Sequence, residues 1–285
     1  MNIESKNVVI ENTESGLRIF HVITANSKCS FSNYGGHILS FASDGDELLW
    51  VSAESNFEFG KAIRGGIPVC WPYFGAAPID GAPAHGFARL LEWDVCSIID
   101  LPDGRVEVKM SLDSSKLPEF CNKLALSMTI VIGKTLQVSL TTCNQGSSDF
   151  TLSQALHTYF NVSYIGNVAV LGLEDTDYFD SLVGKICRQS GAIGIAEEVD
   201  RVYLDTDATC TLSDKGKPYQ VQISKSGSRS TVVWNPWIAK SIRMADFGDE
   251  EYWNMICIET TNAKSDSRIL KSGETHTMSL EISKK

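Results

Sequence analysis

The chain has 285 residues, 43% hydrophobic and 21% charged, an ordinary globular balance and enough chain to bury a core without disulfide or metal staples. Lys and Arg number 25 against 35 Asp and Glu, and the resulting charge of −10 excludes nucleic acid and anionic membrane surfaces as partners. Any anionic ligand must therefore be met by a local cluster of cations.

The opening residues, Met1 to Asn7, are polar with no apolar run behind them, so no secretory signal is expected. No later run approaches the length of a membrane-crossing helix. Strands are predicted over Leu17–Ile23 and Cys29–Phe41. Two loop segments then follow whose residues exceed what a connection needs. Ile63-Arg64-Gly65-Gly66-Ile67-Pro68-Val69-Cys70-Trp71-Pro72-Tyr73-Phe74-Gly75, followed by Ala84-His85-Gly86-Phe87-Ala88-Arg89, is the first, and Val233-Trp234-Asn235-Pro236-Trp237, further along the chain, is the second. Gly and Pro set particular bends there while Arg, His and aromatic residues supply contacts, the mixture of a ligand-shaping loop or of a tightly packed sheet corner.

From Trp93 onward the period is two. Trp93–Ile99 and the alternating Val106, Val108, Met110 and Leu112 flank a Pro102-Asp103-Gly104 turn. Leu124, Leu126, Met128, Ile130 and Ile132 alternate with smaller or polar residues. After Gly133-Lys134 the pattern resumes at Leu136, Val138 and Leu140, which predicts a hairpin. A strand starting near Phe150 leads to His157. Further strands are predicted over Val168–Leu171, Tyr219–Ile223, Thr231–Trp234, Met255–Glu259 and Thr275–Ile282. No amphipathic helix longer than three turns is visible, and no linker, charge block or repeat divides the chain. Many short strands without strand–helix alternation predict an all-β protein, an antiparallel β-sandwich forming one domain over residues 1–285.

The chemistry is narrowed by what is missing. The 5 histidines never fall within metal-ligand spacing of one another, so no metal is expected. No Gly-x-Gly-x-x-Gly, P-loop or Gly-x-Ser-x-Gly occurs, so neither nucleotide nor nicotinamide cofactor is expected. The 8 cysteines are scattered without a Cys-x-x-Cys pair and read as reduced thiols of a cytoplasmic protein.

Taken singly, the polar residues that stand out each allow two readings. His157 is either a hydrogen-bonded core histidine or an acid–base group. Glu259 closes the apolar run Met255-Ile256-Cys257-Ile258, where a carboxylate is either emerging at a strand end or buried with a partner. Arg64 and Arg89 serve structural ion pairs or an anion, and Asp200 either pairs with Arg201 or binds a ligand.

Several motifs occur together and in order: Arg64–Gly75, His85–Arg89, Leu156-His157-Thr158-Tyr159-Phe160, Asp200-Arg201-Val202-Tyr203, Val233-Trp234-Asn235-Pro236-Trp237, Met244-Ala245-Asp246-Phe247-Gly248 and Cys257-Ile258-Glu259. In this the chain resembles the glucose-6-phosphate 1-epimerase branch of the aldose 1-epimerase (galactose mutarotase-like) superfamily, from roughly Ile10 to Leu280. The resemblance implies a large β-sandwich, a sugar cleft and no metal or organic cofactor. It implies His157 and Glu259 as catalytic residues, Arg64 and Arg89 facing a substrate phosphate, and His85 and Asp200 contacting the substrate. Ala84 stands where many relatives carry Gln, which removes one polar contact.

The activity so implied is exchange between the α and β anomers of a hexose 6-phosphate, glucose 6-phosphate first, by a monomer. A base takes the C1 hydroxyl proton while an acid protonates the ring oxygen, each contribution being about 10²–10⁴-fold. Glu259 suits the base because burial raises a carboxyl pKa, and a neighbouring Glu is expected to hold His157 protonated as the acid. Two other readings compete. A neutral-sugar aldose 1-epimerase does not need Arg64 and Arg89. A non-catalytic carbohydrate-binding protein, with Trp234 and Trp237 as stacking platforms, needs neither His157 nor Glu259.

Overall fold

The computed structural model describes residues 2–285. The alternating runs form a nine-stranded sheet. Its spatial order is Asn2–Ile3, Asp94–Asp100, Val106–Leu112, Leu124–Ile132, Thr135–Asn144, Thr275–Lys284, Gln220–Ser226, Cys210–Asp214 and Val168–Leu171. All neighbours are antiparallel except the first pair. The period of two does what it predicts: Leu124, Leu126, Met128, Ile130 and Ile132 are buried while the residues between them face outward. Gly133 and Lys134 are the two residues between the paired strands of the hairpin.

A second sheet carries the motifs. Its order is Lys185–Arg188, Asp177–Asp180, Val199–Tyr203, Ser230–Asn235, Met255–Asn262, Gln154–Leu156 and Val69–Cys70, with Tyr159–Asn161 also paired to Met255–Asn262. In its central strands Ser230–Asn235 and Met255–Asn262 both faces are buried. In Met255–Asn262 every residue is buried: Ile256 and Ile258 point into the main core, while Met255 and Cys257 join Trp50, Tyr159, Trp234, Phe247 and Tyr252 on the opposite face. Glu259 continues that second face. The main core cluster also takes in residues of a five-stranded sheet formed by Val8–Asn12, Arg18–Ile23, Ser27–Ser32, His37–Ser43 and Asp46–Glu47.

Two predicted strands are broken. The Cys29–Phe41 run is two strands, because Gly35 and Gly36 both adopt positive φ (77° and 56°) and turn the chain against Trp93. The run from Phe150 to His157 divides at Ser153 into strands of different sheets, Phe150–Leu152 and Gln154–Leu156. Asp177–Asp180 and Lys185–Arg188 are strands that the sequence pattern does not announce. Their faces do not alternate cleanly, and they lie at the sheet edge, where burial enforces little. The one α-helix among the described residues is Trp237–Ser241, consistent with the expected absence of long helices.

Candidate active site

A cleft of about 470 Å³ opens over the second sheet, on the face turned away from the main core. That is a size suited to a small-molecule ligand. Val202, Val232 and Glu259 form one cross-strand row of its floor, and Asp200 and Trp234 belong to the next.

His157 lies at the corner between Gln154–Leu156 and Tyr159–Asn161, where its backbone N–H donates to the Pro68 carbonyl at 3.0 Å. Its ring stacks on Tyr159, with centroids 4.8 Å apart and 13° between planes, and meets the edge of Trp234. So oriented, His157 Nε2 lies 3.3 Å from Glu259 Oε1. Glu259 is 1% exposed, and its Oε2 and the Nδ1 of His157 are buried without a hydrogen-bond partner.

Burial governs the protonation of both groups. Together with the nearby Asp200 carboxylate, it holds the Glu259 carboxyl well above its usual range, in the direction the sequence suggests. The expectation for His157 is corrected. Burial, followed by the charges of His85, Arg64 and Arg89, pushes its pKa well below the usual value. Desolvation opposes any charge on the imidazole, and the two guanidinium groups add to it.

His85 lines the same cleft, its ring 5.9 Å from that of His157. Burial, then Arg89 and Arg64, lower its pKa to about 3, so it is neutral. The Gly75 N–H donates to its Nδ1 at 3.4 Å, which leaves the proton on Nε2 as a donor. The loop is held tightly. His85 itself has φ of 62°, and a Cβ at Gly86 would lie 2.0 Å from the Trp71 carbonyl oxygen, which explains the glycine after the histidine.

Arg64 also lines the cleft, but its charge is already matched. Its Nε and a terminal nitrogen donate to Asp246 at 3.0–3.2 Å, and the other terminal nitrogen donates to the Tyr159 hydroxyl at 3.1 Å. Arg89 is not among the lining residues: it donates to the Ala84 carbonyl at 2.9 Å and braces the His85 loop from behind. Asp200 faces the cleft rather than pairing with Arg201, which points to the other side of the sheet and meets Asp180 at 3.7 Å. Trp234 lines the cleft. Trp237 does not, and packs on Tyr252.

Sequence reasoning gave no role to Asp246, Lys240 or Lys264. Asp246 lies within a quoted motif, but its partner is 182 residues away. Lys240, one turn after the Trp234 motif, reaches Glu198 at 3.1 Å and Asp200 at 3.8 Å. Lys264 follows the Glu259 strand, and nothing in its local sequence marks it.

One metal-capable group exists among the described residues: ligand atoms of His157, Cys257 and Glu259 lie within 4.8 Å of one another. This nitrogen, sulfur and oxygen set is of the kind zinc accepts. Binding would require deprotonating Cys257, a thiol that burial and the Glu259 charge hold well above its ordinary pKa.

The fold, with this cleft over its second sheet, has counterparts among known proteins. The aldose 1-epimerase family model matches residues 19–283, and the chain belongs to that family. It is 34% identical over 265 residues to an Escherichia coli K12 protein, covering 90% of this chain and 88% of that one. To a Cenchrus ciliaris protein it is 36% identical over 278 residues, covering 92% and 83%. Both carry the description "Putative glucose-6-phosphate 1-epimerase". Among solved structures, a Salmonella typhimurium protein described as "a putative mutarotase" superposes with a TM-score of 0.89 at 29% identity, covering 100% of this chain and 95% of that one.

Proposed function

We propose that this protein interconverts the α and β anomers of a hexose 6-phosphate, glucose 6-phosphate first, by ring opening and reclosure. The observation that carries this reading is the buried His157–Glu259 pair, 3.3 Å apart on a cleft floor. The single proton of the pair, held on Glu259 at rest, passes across the 3.3 Å contact to His157. The Glu259 carboxylate then removes the C1 hydroxyl proton as the bond from C1 to the ring oxygen breaks, and His157 protonates that oxygen. The open aldehyde rotates about its C1–C2 bond, and reclosure on the other face returns both protons. One proton shared by the pair suffices, since it is released at one atom and regained at the other. The stacked Tyr159 and the edge of Trp234 hold the imidazole in place.

Asp200 and the Nε2–H of His85 serve the sugar hydroxyls in this reading. Arg64, tied to Asp246, shapes the wall between them, and Arg89 positions the His85 loop. A binding-only protein has no use for a buried acid–base pair that strains two pKa values in opposite directions. The free state of all eight cysteines supports a cytoplasmic location, and we take the protein to act as a monomer.

Neutral sugars are the second reading, favoured by the Asp246 carboxylate that matches the charge of Arg64. NMR saturation transfer between anomers tests both. Enhanced exchange of glucose 6-phosphate over glucose is the expected result. Equal enhancement of both sugars supports the neutral-sugar enzyme, and enhancement of neither removes the catalytic reading.

A further inference from the structure

We infer that His157, Cys257 and Glu259 form a binding site for one zinc ion, and that the ion, when bound, takes both proton carriers out of action. The metal-free chain is the active form, so zinc is an inhibitor here and no cofactor. Its effect on activity rests on the anomer-exchange reading above, whereas the site itself stands on geometry.

Cys257 and Glu259 lie two residues apart on the strand Met255–Asn262, so their side chains leave the same face of the sheet. His157 reaches that face from the corner between Gln154–Leu156 and Tyr159–Asn161. Ligand atoms of all three lie within 4.8 Å of one another, one nitrogen, one sulfur and one oxygen. Zinc holds nitrogen and oxygen at about 2.0–2.2 Å and sulfur at about 2.3 Å. Two ligands about 2.1 Å from a tetrahedral ion are about 3.4 Å apart. His157 Nε2 and Glu259 Oε1 lie 3.3 Å apart, long for a charge-assisted hydrogen bond but close to that tetrahedral edge. The sulfur has at most about 1 Å to close.

The donors are held in place and have lone pairs to spare. Tyr159 and Trp234 both pair with Cys257 across the sheet, and both touch the His157 ring. The same two aromatic residues therefore fix the nitrogen and flank the sulfur. Glu259 Oε2 and His157 Nδ1 are buried without a hydrogen-bond partner, so neither side chain is committed elsewhere.

Charge favours a divalent ion over any smaller change. At rest the three groups are neutral together, with one proton on the His157–Glu259 pair and one on the thiol. An ion of charge +2 that displaces both protons to solvent leaves imidazole, carboxylate and thiolate around it, again neutral. Burial of Cys257 and Glu259 opposes a lone thiolate or a lone carboxylate, but not this exchange. His157 and Glu259 line the cleft and Cys257 lies beneath them, so the ion enters from the cleft and a water completes its tetrahedron there. With Glu259 coordinated no base faces the C1 hydroxyl, and with His157 coordinated no acid faces the ring oxygen.

Cobalt(II) is the spectroscopic probe, because a bound thiolate gives it an ultraviolet charge-transfer band and tetrahedral ligation gives it intense visible bands. Titrating the metal-stripped wild-type chain is expected to show both at one ion per chain, with Zn²⁺ displacing the cobalt. Zn²⁺ stops glucose 6-phosphate exchange in step with occupancy, and a chelator restores it. Mg²⁺, which prefers six oxygen ligands, does neither. Cys257→Ala and Cys257→Ser keep metal-free exchange, lose the thiolate band and raise the Zn²⁺ concentration for half-inhibition at least about a hundredfold. Cobalt binding without a thiolate band, or zinc inhibition unchanged in both variants, overturns the site. A wild-type chain that shows the thiolate band yet exchanges no anomers supports the site and removes the anomer-exchange reading alone.

Discussion

At the scale of single residues, the behaviour of the site follows from placing two titratable groups largely out of water on the cleft floor. His157→Asn and Glu259→Gln remove the two proton carriers with little change in volume. Each is expected to lower anomer exchange at least a hundredfold while sugar binding, followed by calorimetry, persists. Because the groups act as one unit, the double variant should be little worse than either single one. Losses that simply multiply would argue for independent roles.

The pH profile follows from the same pair. Only the state with one shared proton is productive. Activity falls at low pH when His157 takes up a second proton, and at high pH when the pair loses its only one. Burial lowers the His157 pKa, so the acid limb lies below the ordinary histidine value. Burial raises the Glu259 pKa, so the alkaline limb lies above the ordinary carboxylate range. The two limbs are macroscopic values of the pair. A rate–pH series of kcat/KM is the measurement, and an acid limb at or above 6.5 would contradict the burial argument.

At the scale of elements, the His85 loop and the Glu259 strand do different work. The loop depends on close backbone approach. Gly86 has φ of 75°, and a Cβ there would lie 2.0 Å from the Trp71 oxygen, a collision with backbone that no side-chain rotation relieves. Gly86→Ala is expected to destabilise by more than ~1 kcal/mol and to displace His85, lowering exchange and melting temperature together. A thermal melt matching wild type would show the loop to be more compliant than its contacts indicate. The Glu259 strand, by contrast, is held on both faces by apolar packing, which is why a charged side chain can sit there in a defined place.

At the scale of the molecule, the main core cluster draws residues from the five-stranded sheet, the nine-stranded sheet and the site-bearing sheet alike. We take this as one cooperative unit. Urea unfolding followed by tryptophan fluorescence and by circular dichroism should give coincident transitions. Separate midpoints would divide the chain into two folding units. The −10 charge is a property of this scale too, and it makes binding of any anionic ligand depend on cations placed locally in the cleft.

The sequence by itself determined the all-β class, because a period of two over Leu124–Ile132 and Thr275–Lys284 can bury one face only as strands. It also singled out His157, Glu259, His85, Asp200 and Arg64, all of which line one cleft. Singly each allowed two readings, and it was the ordered set of motifs resembling a known family that marked them. The broken strands at Gly35-Gly36 and Ser153 were less legible, since a single turn interrupts the apolar pattern without changing its composition. Which cations remain free could not be read at all. Arg64 is matched by Asp246 from 182 residues away, and among the described residues Lys264 has no carboxylate partner, Asp266 being taken by Asn262 and by Arg229 of another loop. The protonation of His157 belongs to the same category. A nearby Glu suggests an imidazolium, yet burial and the charges of Arg64 and Arg89 decide against it. Local pattern sets which face a side chain takes. Charge pairing and desolvation depend on what the rest of the chain brings within a few ångströms, and only the tertiary structure decides that.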